Sequence, residues 1–578
     1  MKPPGRLALV LVLGAGCAKG IQPPDGGAGG SGAGGTPAGG TFTVPAVNAA
    51  LDILFMVDNS PGMDPKQTAL TQSFSQLIQQ AQQIPGGLPD LHIGVISSDM
   101  GAGSESIGLN CKRVLGDRGV LYGNDPSNSL ASVAPNADAS QGGHPQPNGC
   151  GLHSGQRWIS DIASPNGIGR ITNYDGTIQD VFTCLATAVG TAGCGFEHQL
   201  QSVRVALNAD YPNNPNDPKN EPPNTINPEN IGFVRPKGYL AVVLITDEDD
   251  CSADPDDGIN DSMFLQSQNP ITETASLRCA ARGHVCAGQS IPGYQDPSIG
   301  YQPPNPLPQP NVGFSTAFAN CAPKEQPNPS SPDHAYLPLI RVQDMIDSVN
   351  GVTAWSVDAS GNYVYDGKGN HVFVQKTPDQ ILVAGIIGWP PDPNTNLNGI
   401  TVSSLYQIGI DTSSLPVPQN TYWDYMPICQ IPSMKSSDGN IYKAYGGLRL
   451  KKFIDAFGAN GQTYSICNSS FFSAMAQIGA AMMAKVVSGC LDQTLQTSCQ
   501  VSLRAPCSGT PGCTTSGFHD TPISQCSSNS PPESERPCWV ISTDATTCLG
   551  APNQRIDLIG RAGTILAQGT LFAVTCPS

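Results

Sequence analysis

Four hydrophobic runs of strand length constrain the fold of this chain more than any other feature. Each run is almost continuously apolar and lacks the alternation of a strand that has one face in water. Strands buried on both faces of a parallel sheet have this pattern, because helices cover the sheet on each side. The runs therefore predict a parallel sheet built from residues 51–57, 91–96, 240–246 and 381–387.

Amphipathic segments separate these runs. One apolar stripe at helical spacing predicts a helix after the first run, and its members are Leu70, Phe74, Leu77, Ile78 and Ala81. Strands that alternate with helices are typical of a Rossmann-like, doubly wound α/β fold with a mostly parallel sheet. The same periodicity predicts further helices at 200–207, 450–457 and 471–486.

The chain length requires more than one folded unit. With 578 residues the chain exceeds the size at which single hydrophobic cores stop growing, roughly 300 residues. We assign residues 49–490 to the α/β domain, with long disulfide-bonded insertions at about 102–160, 250–335 and 353–375, the last of which has the pattern of a β-ribbon. Seven of the 19 cysteines lie within 491–578, which predicts a small Cys-rich β module there.

The N-terminus has the layout of a secretory signal, with two basic residues, an apolar run and then small residues up to Cys17. Its end resembles a bacterial lipobox, whose cysteine is lipidated and becomes the mature N-terminus. Residues 1–17 are thus a predicted signal peptide and 18–48, rich in Gly, Ala and Pro, a flexible tether. We expect an exported outer-membrane lipoprotein that contacts the membrane through its lipid anchor only; an ordinary cleaved signal is the alternative.

The cysteine count also indicates export. Removing Cys17 from 19 cysteines leaves 19 − 1 = 18, an even number, as expected for complete pairing in an oxidising compartment. The predicted local bridges are Cys111–Cys150 and Cys184–Cys194, because each pair brackets a turn-rich segment, although spacing alone does not fix connectivity. Further bridges are expected among Cys251, Cys279, Cys286 and Cys321.

The charge balance excludes one class of partner. The chain has 29 basic and 46 acidic residues, and loss of Lys2 and Arg6 with the signal gives a formal charge of 27 − 46 = −19. Phosphate backbones repel such a surface. We therefore expect no nucleic-acid partner.

Oxygen-bearing side chains follow three of the four runs. Asp58 and Ser60 come directly after the first, Ser98 and Asp99 after the second, and Asp247 after the third. The carboxyl ends of parallel strands meet at one edge of a sheet, where ligands of open α/β sheets bind. Oxygen ligands suit Mg²⁺ and related hard cations, so this edge is a candidate metal site.

The turn Asp58-Asn59-Ser60 after an apolar strand, with Asp247 at the end of a later strand, resembles the metal-dependent adhesion site of von Willebrand factor type A (vWA) domains. This resemblance covers approximately residues 50–490. It implies a Rossmann-like fold in which Asp58, Ser60 and Asp247 hold one divalent cation (Mg²⁺, Mn²⁺ or Ca²⁺) for ligand binding.

The sequence departs from the family pattern at two expected ligands. Gly62 replaces the second serine of the turn, and Cys194 stands where the family has a threonine. Glu197 or Asp99 would then supply the oxygen ligand in place of the missing hydroxyls. A metal-free domain in which the retained acids only cap turns and helices is the alternative.

Together these features predict a surface-tethered, non-enzymatic binding or adhesion module that recognises a protein or surface ligand. The alternatives are an exported enzyme with its site in the insertions and a structural subunit of an envelope assembly. GxSxG, HExxH and P-loop patterns are absent from the sequence. His198, beside Glu197, is a candidate catalytic histidine, but we interpret it as a surface residue without a catalytic role.

Overall fold

The computed structural model assigns the chain to two compact units. The larger unit runs from Pro45 to Ser488 with Gly560–Thr570, and the smaller one takes in the chain before Pro45, Gly489–Ile559 and Leu571–Ser578. The structure describes residues 41–45, 50–83, 88–101, 116–124, 150–163, 170–207, 230–236, 238–253, 276, 279–280, 283–286, 289–290, 315–318, 321–325, 339–355, 364–365, 368, 372–390, 406–410, 423–425, 427–435, 441–486, 491, 494–495, 498–506, 518–528, 531–543, 554–559 and 570–576.

Twenty-three strands are found in this part of the chain. Numbered in chain order, they are β1 (Thr41–Pro45), β2 (Leu51–Val57), β3 (Leu91–Ser97), β4 (Ile159–Ala163), β5 (Arg170–Thr172), β6 (Tyr239–Ile245), β7 (His284–Cys286), β8 (Gln289–Ser290), β9 (Ser315–Phe318), β10 (Cys321–Pro323), β11 (Thr353–Trp355), β12 (Phe373–Gln375), β13 (Ile381–Ile387), β14 (Tyr406–Ile410), β15 (Trp423–Tyr425), β16 (Cys429–Lys435), β17 (Ile441–Ala444), β18 (Gly461–Ser465), β19 (Gln500–Pro506), β20 (Phe518–Gln525), β21 (Cys538–Thr543), β22 (Gln554–Ile559) and β23 (Leu571–Thr575).

The described helices all lie in the larger unit except for one short 3₁₀ turn, Glu533–Glu535. Further 3₁₀ turns are Pro61–Met63, Pro378–Gln380 and Gly458–Asn460. The α-helices are α1 (Asp64–Gln83), α2 (Ile178–Ala188), α3 (Gln199–Ala206), α4 (Val342–Asn350), α5 (Leu448–Asp455) and α6 (Phe472–Val486).

A seven-stranded sheet forms the centre of the larger unit, in the order β18-β13-β6-β2-β3-β4-β5. The first five strands are parallel, whereas β4 and β5 are antiparallel to their neighbours. β2, β6 and β13 are buried along nearly their whole length, as expected for strands covered on both faces. All four hydrophobic runs are thus confirmed as neighbouring strands of a mixed α/β unit with a parallel-rich sheet.

Two hydrophobic clusters cover the opposite faces of this sheet. Helices α1, α2 and α6 supply one cluster, in which the rings of Phe74 and Phe182 stack with centroids 3.7 Å apart. Helices α3, α4 and α5 supply the other cluster, with Val203 and Phe453 among its buried members. The four helices predicted from apolar spacing are confirmed as α1, α3, α5 and α6.

Parts of the predicted insertion at 102–160 belong to the core instead. The backbone N–H of Tyr122 donates to Val95 O on β3 at 2.9 Å, and Val120, Leu121 and Tyr122 are buried. β4, which begins at Ile159, extends the central sheet. These segments are short and lie between turn-rich tracts, so their hydrophobic pattern in the sequence is too brief to identify them.

The remaining strands of the larger unit form small antiparallel sheets. β11 pairs with β12, which confirms paired strands at the two ends of the predicted ribbon at 353–375. The other small sheets are β10-β7-β8, β15-β14-β9 and β16-β17.

The smaller unit is a six-stranded sheet in the order β1-β23-β19-β20-β21-β22. Disulfides Cys499–Cys576 and Cys526–Cys538 cross-link it, so the predicted Cys-rich β module is found. The predicted tether at 18–48 requires a correction, because its Thr41–Pro45 segment is strand β1 of this sheet. Cys17 and the rest of the predicted signal and tether, apart from these strand residues, lie outside the described residues.

Both predicted local disulfides, Cys111–Cys150 and Cys184–Cys194, are wrong. Cys150 bonds to Cys184 on α2, rather than to Cys111, which lies outside the described residues. Cys194 is disulfide-bonded, but not to Cys184 as predicted. Packing of the turn at Cys150 against α2 decides this connection, and sequence spacing does not report it. The structure also contains Cys251–Cys279, within the predicted set, and Cys429–Cys467, which was not predicted.

Candidate functional site

The carboxyl ends of β2, β3 and β6 bring predicted site residues together around Asp58. The hydroxyl of Thr246 donates to Asp58 Oδ2 at 2.6 Å, and that of Ser98 lies 3.4 Å from Asp58 Oδ1. The Asp58 backbone N–H continues the β2–β6 pairing by donating to Ile245 O at 2.9 Å. The predicted convergence of these strand ends is therefore present in the structure.

The turn after β2 is held in one conformation by its own carboxylate. The Ser60 N–H donates to Asp58 Oδ1 at 2.7 Å, and Pro61 then starts the 3₁₀ turn that leads into α1. From α1, the Gln67 side-chain amide donates to Asp58 O at 3.0 Å and to Gly190 O at 2.7 Å. The turn is thereby fixed between the sheet edge and the loop after α2.

Gly62 brings the turn into contact with Asp247. A Cβ at this position would lie 3.0 Å from Asp247 Oδ2, which is closer than most side chains tolerate. Gly62 is half-exposed and Pro61 is exposed, while Asp247 is 4% exposed. Asp247 is therefore separated from the surface by a residue without a side chain.

Asp247 and Glu197 contain buried oxygen atoms without a hydrogen-bond partner in the described part of the chain. These atoms are Asp247 Oδ1 and Glu197 Oε2, on residues that are 4% and 2% exposed. Unpaired buried polar atoms are rare in folded proteins, because each one loses its water without compensation. The two oxygens are thus candidates for a ligand that carries positive charge.

Burial and mutual repulsion both raise the pKa values of these carboxyls. The pKa of Asp247 is raised well above its ordinary value, first by burial and then by Asp58 and Glu248. Burial also raises the pKa of Glu197 well above the usual range, with Glu248 and Asp58 as further causes. The pKa of Asp58 is raised by burial alone, because its hydrogen bonds act in the opposite direction. The site is therefore short of positive charge.

Asp99 does not direct its oxygens at this cluster. Its Oδ1 accepts from the Gly101 N–H at 2.8 Å and its Oδ2 from the Cys194 N–H at 3.2 Å. An isolated backbone bridge joins Asp99 to Glu197. Asp99 and Cys194 thus fix the loop that carries Glu197.

Lys66 and Tyr442 lie near the cluster and were not predicted from the sequence. The Lys66 ammonium donates to Asn468 O at 3.1 Å and lies 3.8 Å above the centre of the Tyr442 ring. Burial lowers the pKa of Lys66 to about 8, and attraction to Asp247 partly offsets this. Burial first, and then Asp247 and Asp58, raise the pKa of Tyr442. In the sequence, Lys66 follows an acid and a proline and has the pattern of a surface residue, so no local signal indicates its role.

A second charged network holds the loop after β6. Arg449 and Asp250 form an ion pair of 2.9 Å in which both side chains are 0% exposed. Asp249 accepts from the Arg449 and Leu450 N–H groups at the start of α5 and lies 3.0 Å from His284 Nε2. These contacts fix the backbone that carries Asp247, and we assign the network a structural role.

The interpretation of His198 as a surface residue is wrong. It is 2% exposed, and its Nδ1 accepts from the Ala253 N–H at 3.3 Å. Burial lowers the pKa of His198 to about 4, so the ring is neutral at physiological pH. The contact with Ala253, in the loop after β6, depends on the tertiary structure, and the polar local sequence does not indicate it.

The side chains are not arranged around an ion as they stand. Within the described ranges, no three His, Cys, Asp or Glu residues form a metal-binding group. A site that combines a hydroxyl, water and fewer direct carboxylates remains compatible with Mg²⁺ or Mn²⁺, which keep several waters when bound.

None of the helices in the part of the chain described here has both the length and the apolar character needed to cross a bilayer. Comparison of the chain with protein-family models and with curated proteins finds no match.

Proposed function

We propose that this protein is a surface-tethered, non-enzymatic binding module whose larger unit is a Rossmann-like, vWA-like domain with a divalent cation at its sheet edge. The parallel strands β2, β3 and β6 and their helices support the fold assignment. The turn Asp58-Asn59-Ser60 and the position of Asp247 support the site assignment. The ligand is a protein or a surface component.

The observation that carries the proposal is the pair of buried oxygens, one on Asp247 and one on Glu197, that find no hydrogen-bond partner among the described residues. Removing a carboxylate from water costs several kcal/mol unless an opposite charge compensates it. A bound cation compensates both acids and the Asp58 carboxylate at once. The buried acids therefore favour a filled site over a turn that only caps the fold.

The existing hydrogen bonds assign different roles to the candidate ligands. Both Asp58 oxygens already accept hydrogen bonds, from Ser60 N–H and from the Thr246 hydroxyl, so Asp58 would hold the ion through water. Asp247, Glu197 and the Ser60 hydroxyl would contact it directly. When bound, the cation supplies a Lewis-acidic position for an acidic group of the partner.

The N-terminal features complete the proposed function. A lipid on Cys17 and an outer-membrane location place the module at the cell envelope. The formal charge of −17 for the whole chain supports a partner other than nucleic acid.

Thermal unfolding of the mature chain with and without Mg²⁺ or Mn²⁺ tests the proposal. A ligand that binds only the folded state stabilises it by RT ln(1 + [L]/Kd), about 2.7 kcal/mol when the ion is at 100 times its Kd. We expect millimolar Mn²⁺ to raise the Tm of the wild type. The Asp247→Asn variant should lose this response to Mn²⁺. Its Tm without metal should not fall below that of the wild type, because the substitution removes a buried carboxyl whose pKa is raised.

Asp379→Asn is the matched control. Asp379 is exposed and precedes β13, so it lies at the opposite edge of the same sheet. Its variant should keep the full response to Mn²⁺. A wild type without a change in Tm or a calorimetric signal for Mg²⁺, Mn²⁺ and Ca²⁺ would contradict the proposal.

A further inference from the structure

Thr246, the residue between β6 and Asp247, holds its hydroxyl in one orientation. The side chain is 0% exposed, and its oxygen accepts from the Gln199 side-chain amide at 3.0 Å and from the Glu248 N–H at 3.3 Å. A hydroxyl has two lone pairs and one proton. Because two donors occupy the lone pairs, the proton is directed at Asp58 Oδ2, which lies 2.6 Å away. Glu248 O, at 3.4 Å, is the more distant acceptor.

Hydrogen-bond donors also surround the rest of the Asp58 carboxylate. It accepts from the Ser60 N–H at 2.7 Å and from the Ser60 side chain, and the Ser98 hydroxyl lies 3.4 Å from its Oδ1. A carboxylate offers about four acceptor positions, and these three donors together with the Thr246 hydroxyl fill them. The Thr246 contact is shorter than those of the Ser60 N–H and the Ser98 hydroxyl, which both lie on Oδ1. Thr246 therefore controls access to Oδ2.

The number of protein oxygens that reach an ion separates Mg²⁺ from Ca²⁺. Mg²⁺ keeps several waters in a near-octahedral shell, whereas Ca²⁺ takes about six to eight oxygens and readily accepts bidentate carboxylates. In the proposed site, Asp247, Glu197 and the Ser60 hydroxyl contact the ion directly, and Asp58 holds it through water. Few direct protein oxygens and retained water suit Mg²⁺ better than Ca²⁺.

We propose that Thr246 determines the ion preference of the site, because its hydroxyl keeps Asp58 Oδ2 from contacting the cation directly. This inference rests on the proposed function. Thr246 is a positioning residue, since it acts through Asp58. Without the hydroxyl, Oδ2 gains an open acceptor position and becomes a further direct ligand. An added carboxylate oxygen favours Ca²⁺ over Mg²⁺.

Calorimetry with Mg²⁺ and Ca²⁺ on the mature chain tests this role. Thr246→Val removes the hydroxyl and keeps the size and branching of the side chain. We expect the ratio of Ca²⁺ affinity to Mg²⁺ affinity to rise roughly tenfold in this variant. The two ions carry the same charge, so a general change in the electrostatics of the site cancels in the ratio. Thr246→Ser restores the donor and should keep the wild-type ratio.

The waters on bound Mn²⁺ provide a second readout. Electron paramagnetic resonance in ¹⁷O-labelled water counts them. Thr246→Val should bind Mn²⁺ with one water fewer than the wild type, because Asp58 Oδ2 takes the position of that water. A loss of stability alone would leave this count unchanged.

Thr71→Val is the matched control. Thr71 is 8% exposed, and its hydroxyl donates to Thr68 O at 3.0 Å within α1. The variant loses a buried hydroxyl that is bonded within its own helix, so it should keep the wild-type ratio and water count. If Thr246→Val does not fold, as judged by circular dichroism, Thr246→Ala replaces it, since alanine also lacks the donor.

The outcomes that overturn each proposal are distinct. An unchanged affinity ratio or an unchanged water count in Thr246→Val or its alanine replacement, with a wild type that binds the ions, overturns the role of Thr246 and leaves the cation site intact. An equal rise of the ratio in Thr246→Ser or in Thr71→Val also overturns it, because the donor to Asp58 would then not be the cause. A wild type that binds none of Mg²⁺, Mn²⁺ and Ca²⁺ overturns the proposed function itself.

Discussion

Acid sensitivity of the fold should depend on His92, the second residue of β3. Its ring is 12% exposed and packs near Trp158 and Phe233, with centroids 5.6 Å and 6.4 Å away. Nδ1 lies 2.9 Å from Phe233 O, so this nitrogen carries the proton of the neutral ring. Binding of a second proton would place a positive charge on a ring that is nearly enclosed.

Asp52, whose carboxylate lies 3.6 Å from His92, offsets only part of this cost. Arg235 already binds both Asp52 oxygens, through Nε and its backbone N–H at 2.7 Å each. The guanidinium therefore neutralises the acid and repels an imidazolium. Burial and this repulsion lower the pKa of His92 to about 4, from an ordinary value of 6.5.

The magnitude follows from proton linkage. Between pH 6.5 and 4 the unfolded chain binds a proton at this residue and the folded chain does not, so stability falls as the pH falls through this window. The difference between 6.5 and about 4 corresponds to about 3 kcal/mol. Other groups titrate in the same range, so the effect has to be measured as a difference between variants.

Urea unfolding of the mature chain at pH 7 and pH 4 provides the assay. Tryptophan fluorescence is a suitable signal, because four of the five tryptophans lie in the larger unit. His92→Asn keeps a donor for Phe233 O, and its loss of stability on acidification should be about 3 kcal/mol smaller than that of the wild type. His153→Asn, at a surface position, controls for the loss of one imidazole. A His92→Asn variant with the wild-type pH dependence would refute the reasoning.

Two further predictions concern the site and its surroundings. Gly62→Ser places a hydroxyl beside Asp247 Oδ2, whereas Gly62→Ala adds only a Cβ 3.0 Å from that oxygen. Calorimetry should show that the serine variant binds Mn²⁺ roughly tenfold more tightly than the alanine variant. Equal affinities of the two variants would contradict a cation at this position. Replacing both Cys429 and Cys467 with serine opens a loop with a sequence separation of 38, which should cost about 4 kcal/mol in urea unfolding; a loss below about 1 kcal/mol would contradict the chain-entropy argument.

The elements of the central sheet could be predicted from the sequence because burial on both faces imposes a local requirement. Each strand between two helix layers must be apolar at nearly every position, and this requirement is visible in runs such as Leu51–Val57, in which Asp52 is the one polar residue. The same reasoning located Asp58 and Asp247 at one edge, since parallel strands end on the same side. It could not locate β4, which is half-buried at several positions and carries Asp161, the partner of Arg170.

The sequence by itself determined four neighbouring strands of the central sheet, four of the helices that cover it and the acids that follow the strands. Only the tertiary structure decided the partners of those acids. Thr246 and Asp58 are 188 residues apart, and Lys66 and Asn468 are 402 residues apart. The connection of Cys150 to Cys184 likewise depends on the packing of a turn against α2. Local propensity and periodicity act over a few residues, whereas these contacts form only when distant segments pack around one core, so the charge balance of the site is a property of the fold.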